Sequence, residues 1–409
     1  MKTIQKITTV LTTLVSFAVC SASVLSGSAA NTNSALTSET TNFYNAWKTK
    51  YLVQNPYTSD AQYYVWYSED EPELGNAVTV SEAHGYGMLI TASMADYDSQ
   101  AKDVFDGMYR YYRAHLSEIG PNLMAWQQQD NGSAIVNVSG ADSATDGDMD
   151  IAYALLMADS IWGSEGEINY KQAAVSVIND IMTYEVNKTD WILQLGDWAY
   201  WSQEGDQYYA ATRPSDFIVQ YLPIFAEVTD DDRWMNVYNS TYNIINNFTQ
   251  EYQTGILPDF VIKDNTGKFV PAPANYLEGE HDGEYSYNSC RTPWRIGMDY
   301  LINRNEDALA FAKAMNTFIT HSTGNDPWEI KAGYTLDGKA FEDYDDLCFT
   351  APFLITAACC DDTEWHDELR EVILDYGDDV YFGDTIKMLC LIVDDGGWIV
   401  PQAGETHPI

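Results

Sequence analysis

Apolar residues recur every three to four positions through most of this chain, and only a few stretches alternate with the period of two expected of strands. The first such segment runs from about Ser38 to Leu52, with Phe43 and Trp47 one turn apart. Further helices are expected to begin near Glu82, Lys102, Asp146, Tyr170, Pro214, Arg233, Arg291, Glu306, Pro352, Glu364 and Thr385, which makes about twelve. Several starts carry end signals. Pro214-Ser215-Asp216 precedes the apolar face of Phe217, Ile218, Tyr221 and Leu222, and Asp146-Gly147-Asp148 precedes Ile151, Ala154, Leu155, Ala158 and Trp162. The longest connection, about Gly255 to Asn288, is rich in Gly, Pro and charge, and a loop of that length in a compact domain usually has a function. The pattern predicts an all-α fold. Twelve helices can close as a double ring, six inside six, with the connections forming a groove at one end.

The amino terminus departs from this pattern. Lys2 and Lys6 precede an apolar stretch containing Leu11, Leu14, Val15, Phe17, Ala18 and Val19, and small residues follow at Ser28-Ala29-Ala30. That is the form of an export signal over residues 1–30. A lipid-attachment reading of Phe17-Ala18-Val19-Cys20 competes weakly, because Phe is a poor first residue for it. Residues 31–409 carry no Pro/Gly/Ser-rich linker and read as one catalytic-sized domain. No later stretch has the roughly 20 apolar residues of a membrane span, so a secreted, extracellular, monomeric protein without stable membrane insertion is expected.

Composition narrows the partners. Lys and Arg total 21 against 61 Asp and Glu, a formal net charge of −40, which repels phosphate backbones and disfavours nucleic acid. The same charge would attract a polycation. The 12 Trp, 29 Tyr and 14 Phe exceed what a core of this size requires, and sugar rings stack on aromatic faces. After loss of Cys20 with the leader, Cys290, Cys348, Cys359, Cys360 and Cys390 lack CxxC or zinc spacing, so buried thiols with at most one disulfide are expected.

Phosphate-binding and dinucleotide fingerprints, HExxH and the nucleophile elbow are absent, and the six His are scattered, so neither cofactor nor metal is expected. Carboxylates are the abundant chemical resource, and glycoside hydrolysis needs two. In Ser81-Glu82-Ala83-His84-Gly85-Tyr86-Gly87, Glu82 opens a helix and the glycines leave room for a substrate, although a first-turn Glu is also simply favourable there. In Ala144-Thr145-Asp146-Gly147-Asp148-Met149-Asp150, Asp148 and Asp150 are expected as caps and dipole partners. A calcium loop fails here, because position twelve from Asp146 is Met157.

These blocks resemble glycoside hydrolase family 8, in the branch of Bacillus-type chitosanases and mixed-linkage glucanases. Ala144-Thr145-Asp146-Gly147-Asp148 through Trp162-Gly163 is similar to the family signature, and Ser81-Glu82-x-x-Gly85-Tyr86-Gly87-Met88 to the block bearing its catalytic acid. Gly196-Asp197-Trp198, Thr212-Arg213-Pro214-Ser215-Asp216 and Arg291-Thr292-Pro293-Trp294-Arg295 extend the likeness over the mature chain. The resemblance implies an (α/α)6 barrel and an inverting, endo-acting enzyme. It implies Glu82 as general acid, Asp146 holding the sugar at the cleavage subsite, Arg291 within the site, and Trp126, Trp198 and Phe382 stacking sugar rings.

The general base departs from much of the family, where an Asp stands just before the Arg-x-Pro-Trp-Arg stretch. Here that block reads Tyr287-Asn288-Ser289-Cys290, and an amide cannot take a proton from water. The chitosanase-like branch carries a Glu in the preceding loop, and Leu277-Glu278-Gly279-Glu280 fits, Glu278 at the better offset and Glu280 two residues on. Asn288 and Tyr287 would then orient water or a sugar hydroxyl. The substrate is expected to be a β-1,4-glucan or mixed-linkage glucan, with chitosan as the alternative. A non-catalytic binding protein is disfavoured by the paired carboxylates, and a uronate lyase by the shortage of Lys and Arg.

Overall fold

The structure is a computed structural model and describes residues 36–68, 74–138, 140–377 and 380–402. The signal expected over residues 1–30 lies outside them. The helices are α1 (Ser38–Tyr51), α2 (Ser81–Ser93), α3 (Ala101–Ala114), α4 (Thr145–Trp162), α5 (Tyr170–Asp180), α6 (Leu222–Thr229), α7 (Arg233–Tyr252), α8 (Thr292–Asn303), α9 (Glu306–Thr323), the single turn α10 (Leu347–Thr350), α11 (Phe353–Cys359), α12 (Thr363–Asp375) and α13 (Tyr381–Asp394). Leaving out the turn α10, twelve helices are present among the described residues, and they form an (α/α)6 barrel.

Burial separates the rings. In α2 every residue but Glu82 is buried, and α4 is buried from Thr145 to Ala158; helices buried on all sides in this way form the inner wall. Helix α3 instead buries the stripe Val104, Phe105, Met108, Tyr111 and Tyr112 and exposes Lys102 and Asp103, as an outer helix should. Inner α2 packs on α4, and α4 on the turn Pro214–Asp216. The turn Val219–Tyr221 that leads into α6 packs on α8, then α8 on α11, α11 on α13, and α13 back on α2, which closes the ring. Each inner helix also contacts an outer one: α2 with α3, α4 with α5, α6 with α7, α8 with α9, α11 with α12 and α13 with α1.

Two expected starts move. The segment near Pro214 forms two 3-10 turns, Pro214–Asp216 and Val219–Tyr221, before α6 begins at Leu222. Pro223 is the cause: with no N–H to give, it cannot continue a helix from Pro214 but can sit in the first turn of a new one. The last helix begins at Tyr381, four residues before Thr385. The Gly255–Asn288 connection is also not wholly irregular. It contains the strands Val261–Lys263 and Phe269–Pro271, and the former pairs antiparallel with Ala211–Thr212. The five described cysteines carry free thiols, so the optional disulfide is not formed among them. No helix among the described residues is long and apolar enough to cross a membrane.

Candidate active site

Glu82 and Asp146 meet because two helices approach at backbone distance. A Cβ on Gly147 would stand 2.8 Å from the Glu82 nitrogen, and one on Gly85 2.7 Å from the Asp150 Cβ. Only glycine at both positions lets α2 and α4 lie this close, which sets the first residues of the two helices side by side.

Arg291, 1% exposed, closes the arrangement from the turn before α8. Its Nη1 donates to Glu82 Oε2 at 2.7 Å, to Asp146 Oδ2 at 2.9 Å and to the Tyr86 hydroxyl at 3.1 Å. Burial pushes the Glu82 carboxyl up to about 7, helped by the negative charge of Asp146 and their mutual hydrogen bond, and opposed by Arg291. For Asp146, burial works against ionisation but is outweighed by Arg291, Arg213 and Arg295, which hold it below the usual carboxylate range. The two carboxyls are thus pushed in opposite directions, Glu82 towards holding its proton and Asp146 towards the anion. Glu82 is still 18% exposed, so its proton can be reached.

The same guanidinium reaches Asn288, whose Oδ1 accepts from Arg291 Nη2 at 3.1 Å. The Asn288 Nδ2 donates to Glu278 Oε2 at 2.7 Å, and Arg213 Nη2 donates to Glu278 Oε1 at 3.1 Å. Glu278 therefore belongs to one connected set with Glu82, Asp146 and Arg291, yet it is 49% exposed to solvent. Its backbone is fixed by Asp282, which accepts the N–H groups of Leu277, Glu278 and Gly279 at 2.7, 3.0 and 2.9 Å. Glu280, 79% exposed, turns instead to His281 at 3.6 Å.

The aromatic candidates stand on segments next to these groups. The strand Ala77–Val80 pairs with Gln127–Asp130, and the Ser81 N–H donates to the Trp126 carbonyl at 2.7 Å, which sets Trp126 beside the start of α2. Trp198 rests edge-on against Tyr208 at 5.1 Å, and Tyr208 against Tyr276 at 5.3 Å, next to the Glu278 loop. The Phe382 ring lies 5.8 Å from the Arg291 guanidinium carbon. The Tyr287 hydroxyl contacts the Tyr344 hydroxyl at 3.2 Å and donates to Asp346 at 3.1 Å, and its ring packs edge-on against Phe349.

Asp148 and Asp150 are not caps. Both are fully buried, Asp148 accepting the Met124 N–H at 2.8 Å and Asp150 paired with Arg295 at 2.5 Å. Sequence reasoning also passed over three groups. Arg213 grips Glu278. Asp259, raised by burial to about 6, accepts from the backbone of Ser286, Asn288 and Ser289 and shapes the turn that presents Asn288. Asp216, raised to about 8 by burial and by Asp146, lies beside the site. A signal for Arg213 existed, since in a chain with 21 cations against 61 acids an Arg just before the apolar run Phe217-Ile218-Val219 is expected to pair with a carboxylate.

Comparison with known proteins follows the same lines. The sequence model described as "Glycosyl hydrolases family 8" matches residues 12–396. A "Beta-glucanase" from Niallia circulans is 44% identical over 370 residues, covering 90% of this chain and 86% of that protein. An "Endoglucanase" from Bacillus sp. (strain KSM-330) is 36% identical, covering 89% and 77%. A solved apo β-1,3-1,4-glucanase from Paenibacillus sp. X4 superposes with a TM-score of 0.82 at 43% identity, covering 88% of this chain and 92% of that one. A xylanase from Teredinibacter turnerae, 18% identical with a TM-score of 0.72, shares the fold.

Proposed function

Because the chain belongs to glycosyl hydrolases family 8, we propose that it hydrolyses β-linked glucan at internal bonds with inversion, Glu82 donating the proton and Glu278 activating water. The observation that carries this reading is the bridge from Glu82 through Arg291 and Asn288 to Glu278, with a carboxyl raised by burial at one end and a half-exposed carboxyl at the other. An inverting enzyme needs such a pair about 6.5 to 9.5 Å apart, with water between the base and the sugar. Glu82 protonates the departing glycosidic oxygen while Glu278 takes a proton from that water as it attacks the anomeric carbon on the opposite face. Asp146 stays ionised beside Glu82, where it accepts a sugar hydroxyl and stabilises positive charge developing on the ring. Trp126, Trp198 and Phe382 offer ring faces to neighbouring sugars. The glucan reading draws on the named activities of the two relatives and the solved glucanase, which favour it over chitosan. The basic start and apolar stretch before Asn31 support an exported enzyme, which we take to act as a monomer.

Reducing ends released from mixed-linkage glucan, carboxymethylcellulose, xylan and chitosan test the substrate, with proton NMR to identify the first anomer formed. Glucan cleavage giving the α-anomer first is expected. Activity confined to chitosan overturns the substrate, a β-anomer first overturns inversion, unsaturated ends absorbing in the ultraviolet point to a lyase, and no product to a binding protein. Amino-terminal sequencing of protein from the culture medium should begin near Asn31.

A further inference from the structure

Trp201 is 71% exposed, well above Trp126 and Tyr287, and none of the roles above uses it. It ends the five-residue 3-10 helix Asp197–Trp201 that also carries Trp198. We propose that Trp201 is an additional sugar-stacking platform, extending the cleft beyond Trp198 and holding a more distant unit of the same β-glucan chain. This rests on the glucanase reading above.

Helix geometry supplies the first reason. A 3-10 helix has three residues per turn and rises ~2.0 Å per residue, so Trp198 and Trp201 share a face about 6 Å apart along the axis. That spacing is close to the advance of one sugar unit along an extended β-linked chain. Placement supplies the second. From the start of α2 a line of contacts runs through Trp126, whose carbonyl accepts the Ser81 N–H and whose N–H donates to the Asp142 carbonyl, each at 2.7 Å. It continues through Ser143, whose N–H donates to Asp197 at 2.8 Å, and so into the helix of Trp198 and Trp201. Trp201 thus sits on an element tied by hydrogen bonds to the segments that carry Trp126 and the start of α4.

Rigidity is the third reason. Buried Asp197 accepts the Ser117 hydroxyl at 2.5 Å and the Gly120 N–H at 2.9 Å, which pins the helix from below. The Trp201 ring is braced edge-on by Tyr200 at 4.5 Å, and Tyr200 in turn by Tyr184 at 5.1 Å. A ring held in place but left open to water loses little entropy when a ligand covers it. Its exposed neighbours Gln203, Glu204, Asp206 and Gln207 are polar, giving an apolar ring face rimmed by hydrogen-bonding groups, the surface a sugar presents in complement. A protein partner would instead call for a wider apolar patch around the indole.

The test compares the whole purified enzyme with its Trp201→Ala and Trp201→Phe variants on glucan oligosaccharides of increasing length and on the polymer. In Trp201→Ala the ratio of KM for long chains to KM for the shortest cleaved oligosaccharide should rise about 2- to 10-fold, the range of one aromatic contact. Trp201→Phe should restore most of that difference, since a ring face remains. A length dependence unchanged from the wild type, or a KM rise equal at every length, overturns the platform while leaving the glucanase reading intact. A wild-type enzyme that cleaves no glucan removes both.

Discussion

Asn288 donates its amide N–H to Glu278 at 2.7 Å while its amide oxygen accepts from Arg291 at 3.1 Å, so one side chain joins a carboxylate to a guanidinium through opposite ends. Asp could accept from Arg291 but, ionised, has no proton to give Glu278. An Asn at this position therefore suits the proposed base, Glu278, supplied from the loop. The residue that looked like a loss in the sequence is the one that holds the Glu278 carboxyl.

Removal of Glu278 tests this directly. Glu278→Ala should lose at least about 10²-fold in kcat on glucan, while Glu280→Ala, altering a side chain turned to His281, should stay near wild type. Added azide should return turnover to Glu278→Ala as an inverted glycosyl azide. Asn288→Asp should also lose activity, because it sets a like charge against Glu278. Near-normal turnover by Glu278→Ala would end the assignment.

As the proposed general acid, Glu82 acts only when protonated, so kcat/KM should fall as pH rises through about 7, the value to which burial and Asp146 raise it. Asp146→Asn removes the negative charge that helps to raise Glu82, so the alkaline limb should move to lower pH. A limb unmoved in that variant would show that Glu82 does not set it. Glu82→Gln should lose at least about 10²-fold on natural glucan while still binding it.

Asp150 and Arg295 form an ion pair in which neither side chain is exposed, and Arg295 also stacks on Trp294 at 4.1 Å. Asp150→Ala leaves a buried cation without its partner and should destabilise folding by about 3–5 kcal/mol. Denaturant unfolding measures this; a change below about 1 kcal/mol would mean that water reaches Arg295.

Burial raises Asp148 and Glu185 well above the carboxylate range, each further raised by the negative charge of neighbouring acids, and Ser143 donates to Glu185 at 2.5 Å. Groups raised on folding contribute stability that is complete below their unfolded values near 4 and is lost as pH rises through the folded values. Glu82 and Asp216, raised to about 7 and about 8, act in the same sense. Carboxylates held low, such as Asp146, are ionised in both states above pH ~5 and add no slope there. The melting temperature should therefore fall between about pH 5 and 8, and less steeply in Glu185→Gln, which keeps polar contacts without a titrating proton. Equal slopes in the two proteins would exclude Glu185 as a source.

The sequence by itself determined the alternation of twelve helices, the openings of α2 and α4, and the glycines beside Glu82 and Asp146, because a 3.6-residue period, a helix start and a missing side chain are local properties. Pro223 was local too, and its restart of α6 at Leu222 was legible in principle. Only the tertiary structure decided which partners each carboxylate meets. Arg291 and Glu82 are 209 positions apart, and Arg213 and Glu278 are 65 apart. No periodicity carries information over such spans; they meet because the ring of inner helices closes and because Val261–Lys263 pairs with Ala211–Thr212. Within the loop, Glu278 and Glu280 are the same residue type two positions apart, distinguished by the hold of Asp282 on the backbone and by the reach of Asn288 and Arg213. At the start of α4 three acids of equal appearance become an anion beside Arg291, a buried carboxyl held by the Met124 N–H, and half of an ion pair, because each points at a different neighbour brought in by the fold.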